Sequence, residues 1–153
     1  MYQGIEIINF HAHFPTERPW FPDMGETIKN YQASVTPERA RLIRRMSQPY
    51  EEQWRRMWDY PTAEGKDVHP GDRAQAQRWV DELDKYGIRA IGFVTGGGNE
   101  HLADVCGWHP DRFVGFAHHS PFLPDAVERL DHAIIKLGLR GYKLLAPLIE
   151  EPI

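Results

Sequence analysis

Ile88-Arg-Ala-Ile-Gly-Phe-Val-Thr95, closed by Gly96-Gly-Gly98, is the stretch whose reading decides the fold. It is short, mostly apolar and bounded by turn-forming glycines, which predicts a mostly buried strand. Working outward, Asn99 can cap a short helix that runs to Trp108, with Pro110 following its end. Phe113-Val-Gly-Phe-Ala117 is a further strand that runs into His118-His-Ser120. From Asp125 to Leu137, the residues Val127, Leu130, Ile134 and Leu137 recur at helical spacing; Gly138 ends that helix, and Leu139 to Ala146 is the next strand. In the other direction, Asp72 can cap a helix carrying Trp79, Val80 and Leu83 on one side, with Gly87 as its stop. Strands alternating with helices at this spacing imply an α/β fold with parallel pairing and right-handed crossovers.

The first strand holds the chemistry. Ile5-Glu-Ile-Ile-Asn-Phe10 is an apolar run ending in His11-Ala-His13. Side chains alternate across a strand, so positions two apart share a face and both imidazoles aim at one point where the chain leaves the sheet. Two neutral imidazoles side by side make half of a zinc or similar transition-metal site. On the residues alone, His11 also fits a satisfied core histidine and His13 a loop residue. The position at a strand's carboxyl end favours the metal, because α/β barrels place their chemistry there.

Composition narrows the classes. The 153 residues allow one ordinary domain, and apolar and charged fractions of 41% and 26% are those of a globular chain. A net charge of −4 gives no electrostatic footprint for nucleic acid. The single cysteine, Cys106, excludes an internal disulfide framework and suits a reducing compartment. No apolar run approaches a membrane span, and Met1-Tyr-Gln-Gly-Ile5 lacks the basic start and apolar stretch of a signal peptide. A cytoplasmic protein with no nucleic-acid or membrane partner is expected.

Between the first strand and its partner helix lies an insertion, residues 14–71, punctuated by prolines. Thr36-Pro-Glu is a good helix opening, and the stretches Thr36 to Ser47 and Tyr50 to Tyr60 read as two helices separated by Pro49. A structureless loop of that size would be unusual, so the stretch is expected to be a folded lid or dimerisation subregion above the strand ends. Phe14, Trp20 and Phe21 come soonest after His13 and are placed to wall a pocket. Trp54 and Trp58, four apart, are better placed to pack on the body or a second subunit. A small satellite aromatic core explains the same residues equally well.

These residues carry a family resemblance. Ile8-Asn-Phe-His-Ala-His13 resembles the opening strand of the amidohydrolase superfamily. Cys106-Gly-Trp-His-Pro-Asp-Arg-Phe-Val-Gly-Phe116 is similar to the segment leading into the third barrel strand in the aminocarboxymuconate-semialdehyde decarboxylase-like branch. Ala126-Val-Glu-Arg-Leu130 and Leu137-Gly-Leu-Arg-Gly-Tyr-Lys-Leu144 resemble that branch's next helix and strand. The resemblance implies the N-terminal part of a (β/α)8 TIM barrel: four parallel strands with a helical insertion after the first. It makes His11 and His13 ligands of one divalent metal ion, zinc first and manganese as the alternative. Further ligands and the acid/base would come from later strands, so the chain is expected to be part of a longer polypeptide or to be completed by another chain.

Two more residues become candidates in that setting. If Val114 and Phe116 pack outward under the helices, His118 goes with them, and His119 shares the inward face with Gly115 and Ala117 as a substrate or water ligand. Lys143 is a lone ammonium in an apolar strand, suited to an inward ion pair or a substrate carboxylate. The resulting expectation is a metal-dependent enzyme acting on a small carboxylated substrate, aromatic or ring-cleavage derived, as a homodimer. Non-oxidative decarboxylation stands ahead of hydrolysis of an amide, ester, lactone or carbon–carbon bond. A non-catalytic metal-binding half-barrel is the third reading.

Overall fold

The computed structural model describes residues 4–19, 22, 35–58 and 70–144, without the side chains of 47 and 50–58. The chain divides into two compact units, one comprising Met1–Gly25 and His69–Ile153, the other Glu26–Val68.

In the first unit, β1 (Ile7–His13), β2 (Ile88–Thr95), β3 (Phe113–Ala117) and β4 (Gly141–Tyr142) form one sheet in the order β1-β2-β3-β4. Every neighbouring pair is parallel. The crossovers carry α2 (Asp72–Lys85), α3 (Asn99–Trp108) and α4 (Ala126–Asp131), the last continuing as a π-turn over His132–Lys136. A sheet that never doubles back stacks successive right-handed crossovers on one face. That is the order of a barrel's opening strands, not of a doubly wound open sheet. β2 and β3 span the residues expected of them.

The core lies between the sheet and these helices. Ile91 and Phe93 of β2 and Phe113 and Ala117 of β3 meet Ala76 and Leu83 of α2 and Leu102 and Val105 of α3. The Phe93 ring sits edge-on to Trp79 and Phe113, at 5.5 and 5.1 Å between centroids. Each large buried side chain contributes about 1.5–3 kcal/mol by leaving water.

The two faces of β3 are the reverse of the expected ones. A methyl group added at Gly115 would meet Leu139, and Cys106 and Leu102 of α3, so Phe113, Gly115 and Ala117 face the helices. Phe116 lies on the opposite face, where Gly92 and Gly141 of the flanking strands leave room for its ring. The reason is steric: glycine lets α3 and Leu139 press onto β3, while the bulky ring goes where both neighbours lack side chains.

The caps also differ. Gly71 and Gly98, at φ 89° and 99°, hold the cap positions expected for Asp72 and Asn99, which are instead first helical residues with their side chains turned elsewhere. Gly87, at φ 64°, ends α2 as read. The ladder of β4 runs from Arg140, whose N–H donates to the Gly115 carbonyl, to Lys143, whose N–H donates to that of Ala117. The rest of the strand expected to reach Ala146 lies outside the described residues.

In the second unit, one helix, α1 (Pro37–Trp58), replaces the two expected, running straight through Pro49. Proline removes one backbone donor, and the Arg-, Glu- and Gln-rich flanks have the propensity to carry the ladder across that gap. Thr36 caps it as read, its Oγ1 accepting from the Arg39 N–H at 3.2 Å. No described helix is long and apolar enough to cross a membrane.

Candidate functional site

A bulge sets the end of β1. Asn9 pairs with Ile91 and Ala12 with Phe93, so β1 spends one residue more than β2 between these two positions. The side chain of Asn9 braces the bulge, its Oδ1 accepting from the His11 N–H at 3.0 Å. Bulges re-aim side chains, and here the two imidazoles finish 5.4 Å apart between centroids, tilted by 59°. His11 is exposed and His13 half-buried. The sequence-read pair is therefore together in space.

His13 is the better defined of the two. Its Nδ1 lies 2.7 Å from Thr95 Oγ1, and Thr95 is fully buried at the end of β2. Burial holds the imidazole below its ordinary value of 6.5, with smaller contributions from His11 and from the Lys143 ammonium. At neutral pH it is uncharged, the state in which a ring nitrogen offers a lone pair. Lys143 follows β4, in the same parallel sheet as β1. No carboxylate among the described residues pairs with Lys143. His11, His13, Thr95 and Lys143 all stand at the carboxyl ends of parallel strands, where such sheets present ligands. Among the described residues no three metal-ligating groups come together.

The end of β3 is built differently. His118 and His119 are both 2% exposed and are tied by Asn99, at the start of α3. The His118 N–H donates to Asn99 Oδ1 at 2.9 Å, and Asn99 Nδ2 donates to His119 Nδ1 at 3.1 Å. His118 Nε2 accepts from the Gly98 N–H at 3.1 Å, so its proton sits on Nδ1, 3.0 Å from the Phe116 carbonyl. His119 has the other tautomer, Nε2 donating to the Ala126 carbonyl at 3.0 Å. Tyr142 closes the group, its ring against His119 and its hydroxyl donating to the His119 carbonyl at 2.6 Å. Both ring nitrogens of His119, expected to meet substrate or water, are engaged within the fold. The adjacent histidines latch β3 to the β2–α3 turn and to α4.

The other sequence-read residues lie apart from this group. Phe14 is wholly buried against Phe93, at 5.4 Å between centroids, and its N–H donates to the Thr95 carbonyl, so it packs under the sheet and does not wall an open pocket. Trp20 and Phe21, and the side chains of Trp54 and Trp58, lie outside the described residues. Sequence reading missed Thr95 and Asn99. Nothing local marks them, because each acts on a histidine from a distant part of the chain.

No protein-family model and no curated protein matches the chain. Among solved structures it is similar to 4-oxalomesaconate hydratase from Rhodopseudomonas palustris, at 16% identity and a TM-score of 0.46, over 89% of this chain and 40% of that one. It is also similar to 2,6-dihydroxybenzoate decarboxylase complexed with 2,6-dihydroxybenzoate, at 18% identity and a TM-score of 0.45, over 90% of this chain and 38% of that one. The 2,6-dihydroxybenzoate decarboxylase from Rhizobium gives 18% identity and a TM-score of 0.46, over 90% of this chain and 37% of that one. The chain spans 37–40% of the length of these enzymes.

Proposed function

We propose that this chain supplies the opening strands of a metal-dependent, amidohydrolase-type enzyme that acts on a small carboxylated substrate, with non-oxidative decarboxylation of an aromatic or dienoic acid as its reaction. The observation that carries the reading is the meeting of His11 and His13 at the carboxyl end of β1, with Lys143 just past the end of β4 in the same parallel sheet. The donor set fits a divalent transition metal in kind: two imidazoles side by side, His13 uncharged at neutral pH. His11 and His13 would hold the ion, and its remaining ligands would come from residues outside those described. A bound zinc or manganese ion supplies Lewis acidity toward a substrate oxygen or a water molecule. Lys143, half-buried and lacking an acidic partner among the described residues, would draw the substrate carboxylate to the strand ends and fix its orientation. The flanking core, closed by Phe93 and Phe14, keeps water from the underside of the pair.

The test uses the intact protein, with hydroxybenzoates and ring-cleavage acids as substrates and carbon dioxide release as the readout. Metal-dependent release supports decarboxylation. Metal-dependent breakdown of a lactone or amide without carbon dioxide moves the reading to hydrolysis. A protein that binds no metal and turns over neither class overturns both. His11→Ala should remove the ion, measured by elemental analysis against roughly one per site in the parent.

A further inference from the structure

We propose that Asn9 is a positioning residue for the metal pair: its side-chain carbonyl holds the bulge of β1 closed and so fixes His11 at the distance from His13 that a single ion spans. The inference rests on the metal reading above. The extra residue of β1 is confined to a short segment. Asn9 pairs with Ile91 and Ala12 with Phe93, so both ends of the bulge are anchored on β2 and only Phe10 and His11 lie between them. Of the two histidines, His11 alone is inside the bulge, and its direction follows the path of that segment. Two contacts define the path. The His11 N–H donates to Asn9 Oδ1 at 3.0 Å, a ring that an asparagine side chain closes readily with the backbone two residues on. On the β2 side the bulge passes close to Gly92, where an added Cβ would stand 3.2 Å from Phe10 Cα and 3.3 Å from its carbonyl carbon. Glycine at that position lets the two backbones approach.

The spacing of the rings gives the bulge its consequence. In an unbulged strand two rises of about 3.3 Å put equivalent atoms of same-face side chains about 6.6 Å apart. Two imidazoles on one tetrahedral ion, with zinc–nitrogen bonds of about 2.0–2.1 Å, have ring centroids about 5 Å apart. Here the centroids are 5.4 Å apart. The bulge therefore brings the rings close to the spacing of a shared ion in the absence of the ion, and ligands gathered in advance spare binding the cost of ordering them. Without an acceptor at position 9 the His11 N–H turns to water, and Phe10 and His11 lose the contact that closes the bulge. Asn9 is itself exposed, so little packing goes with it. The loss is expected in the placing of His11 and not in the stability of the fold.

The experiment uses the intact protein, with zinc as the probe. In the metal-free parent, proton NOEs should connect the His11 and His13 rings. Asn9→Ala, which removes the acceptor, should weaken those NOEs and bind zinc about 10-fold more weakly, with Tm close to the parent's. Asn9→Asp, which keeps an oxygen acceptor at the same reach, should restore both the NOEs and the affinity. Should Asn9→Ala fail to fold, Asn9→Gln, whose carbonyl lies one methylene too far out to close the same ring, carries the comparison. Ring NOEs of parental strength in the variant without the acceptor overturn the proposal, whatever the metal result. So does an Asn9→Asp protein that binds zinc as weakly as Asn9→Ala. Equal zinc affinity in parent and Asn9→Ala overturns the positioning role and leaves the metal reading standing. A parent that binds no zinc overturns that reading and this one with it.

Discussion

Replacing Asn99 by alanine should be one of the most costly single changes away from the apolar core. Its amide bridges two buried histidines, accepting the His118 N–H at 2.9 Å and donating to His119 Nδ1 at 3.1 Å. Truncation leaves a backbone donor and a ring acceptor without their partner, each on a residue only 2% exposed. A buried polar group stripped of its partner costs about 1–3 kcal/mol, so the two together give roughly 2–6 kcal/mol, with the lower end if a water enters the vacated space. For a domain of this size about 3 kcal/mol corresponds to a fall in Tm of roughly 6–12 °C. Asn99→Asp is the informative companion. Its carboxylate still accepts from His118 but has no proton for His119 Nδ1, so it should recover about half of the loss. The assay is urea and thermal unfolding of the intact protein with each variant, beside the exposed control Gln77→Ala. A cost below about 1 kcal/mol for Asn99→Ala would refute the argument that the histidine pair is a latch.

Gly115→Ala sets a new methyl 2.6 Å from Leu139 Cδ2 and 3.0 Å from Cys106 Sγ, and should lower stability by about 1–3 kcal/mol in the same unfolding assay. The thiol of the half-buried Cys106, pushed up to about 12 by desolvation, should react slowly with iodoacetamide in the native protein and faster on unfolding; rapid native labelling would contradict the raised value. His101, 7% exposed and 3.1 Å from Asp72 Oδ2, is held below its ordinary 6.5 by burial first and then by Arg18, against the opposing pull of Asp72 and Asp104. The unfolded chain then takes up the proton more readily than the native one, so stability is present above pH 6.5 and falls as pH drops through the lower native value. Tm should therefore be lower at about pH 5.5 than at about pH 7.5, and His101→Gln should reduce that slope, leaving the share due to His13.

What the sequence determined by itself is what near neighbours control. The apolar run of β2, the glycines that stop each element and the helical spacing from Asp72 onward depend on local sterics and burial, so the order of elements and the parallel class were legible. The His11–His13 pair was legible for the same reason, a two-residue strand period, although it took the bulge braced by Asn9 to set the final approach. Tertiary structure decided the rest. Which face of β3 meets the helices depends on Gly92 and Gly141 in the neighbouring strands, because the room for the Phe116 ring lies on other parts of the chain. Asn99 and Asp72 carry side chains that cap helices well, yet Gly71 and Gly98 take those positions, freeing both to reach histidines. Phe14 was drawn into the core by Phe93, and Thr95 acquired its partner only when β1 and β2 came into register. A side chain's role is set by the group that it finds within about 3 Å, and when that group lies some 80 residues away only the folded chain supplies it.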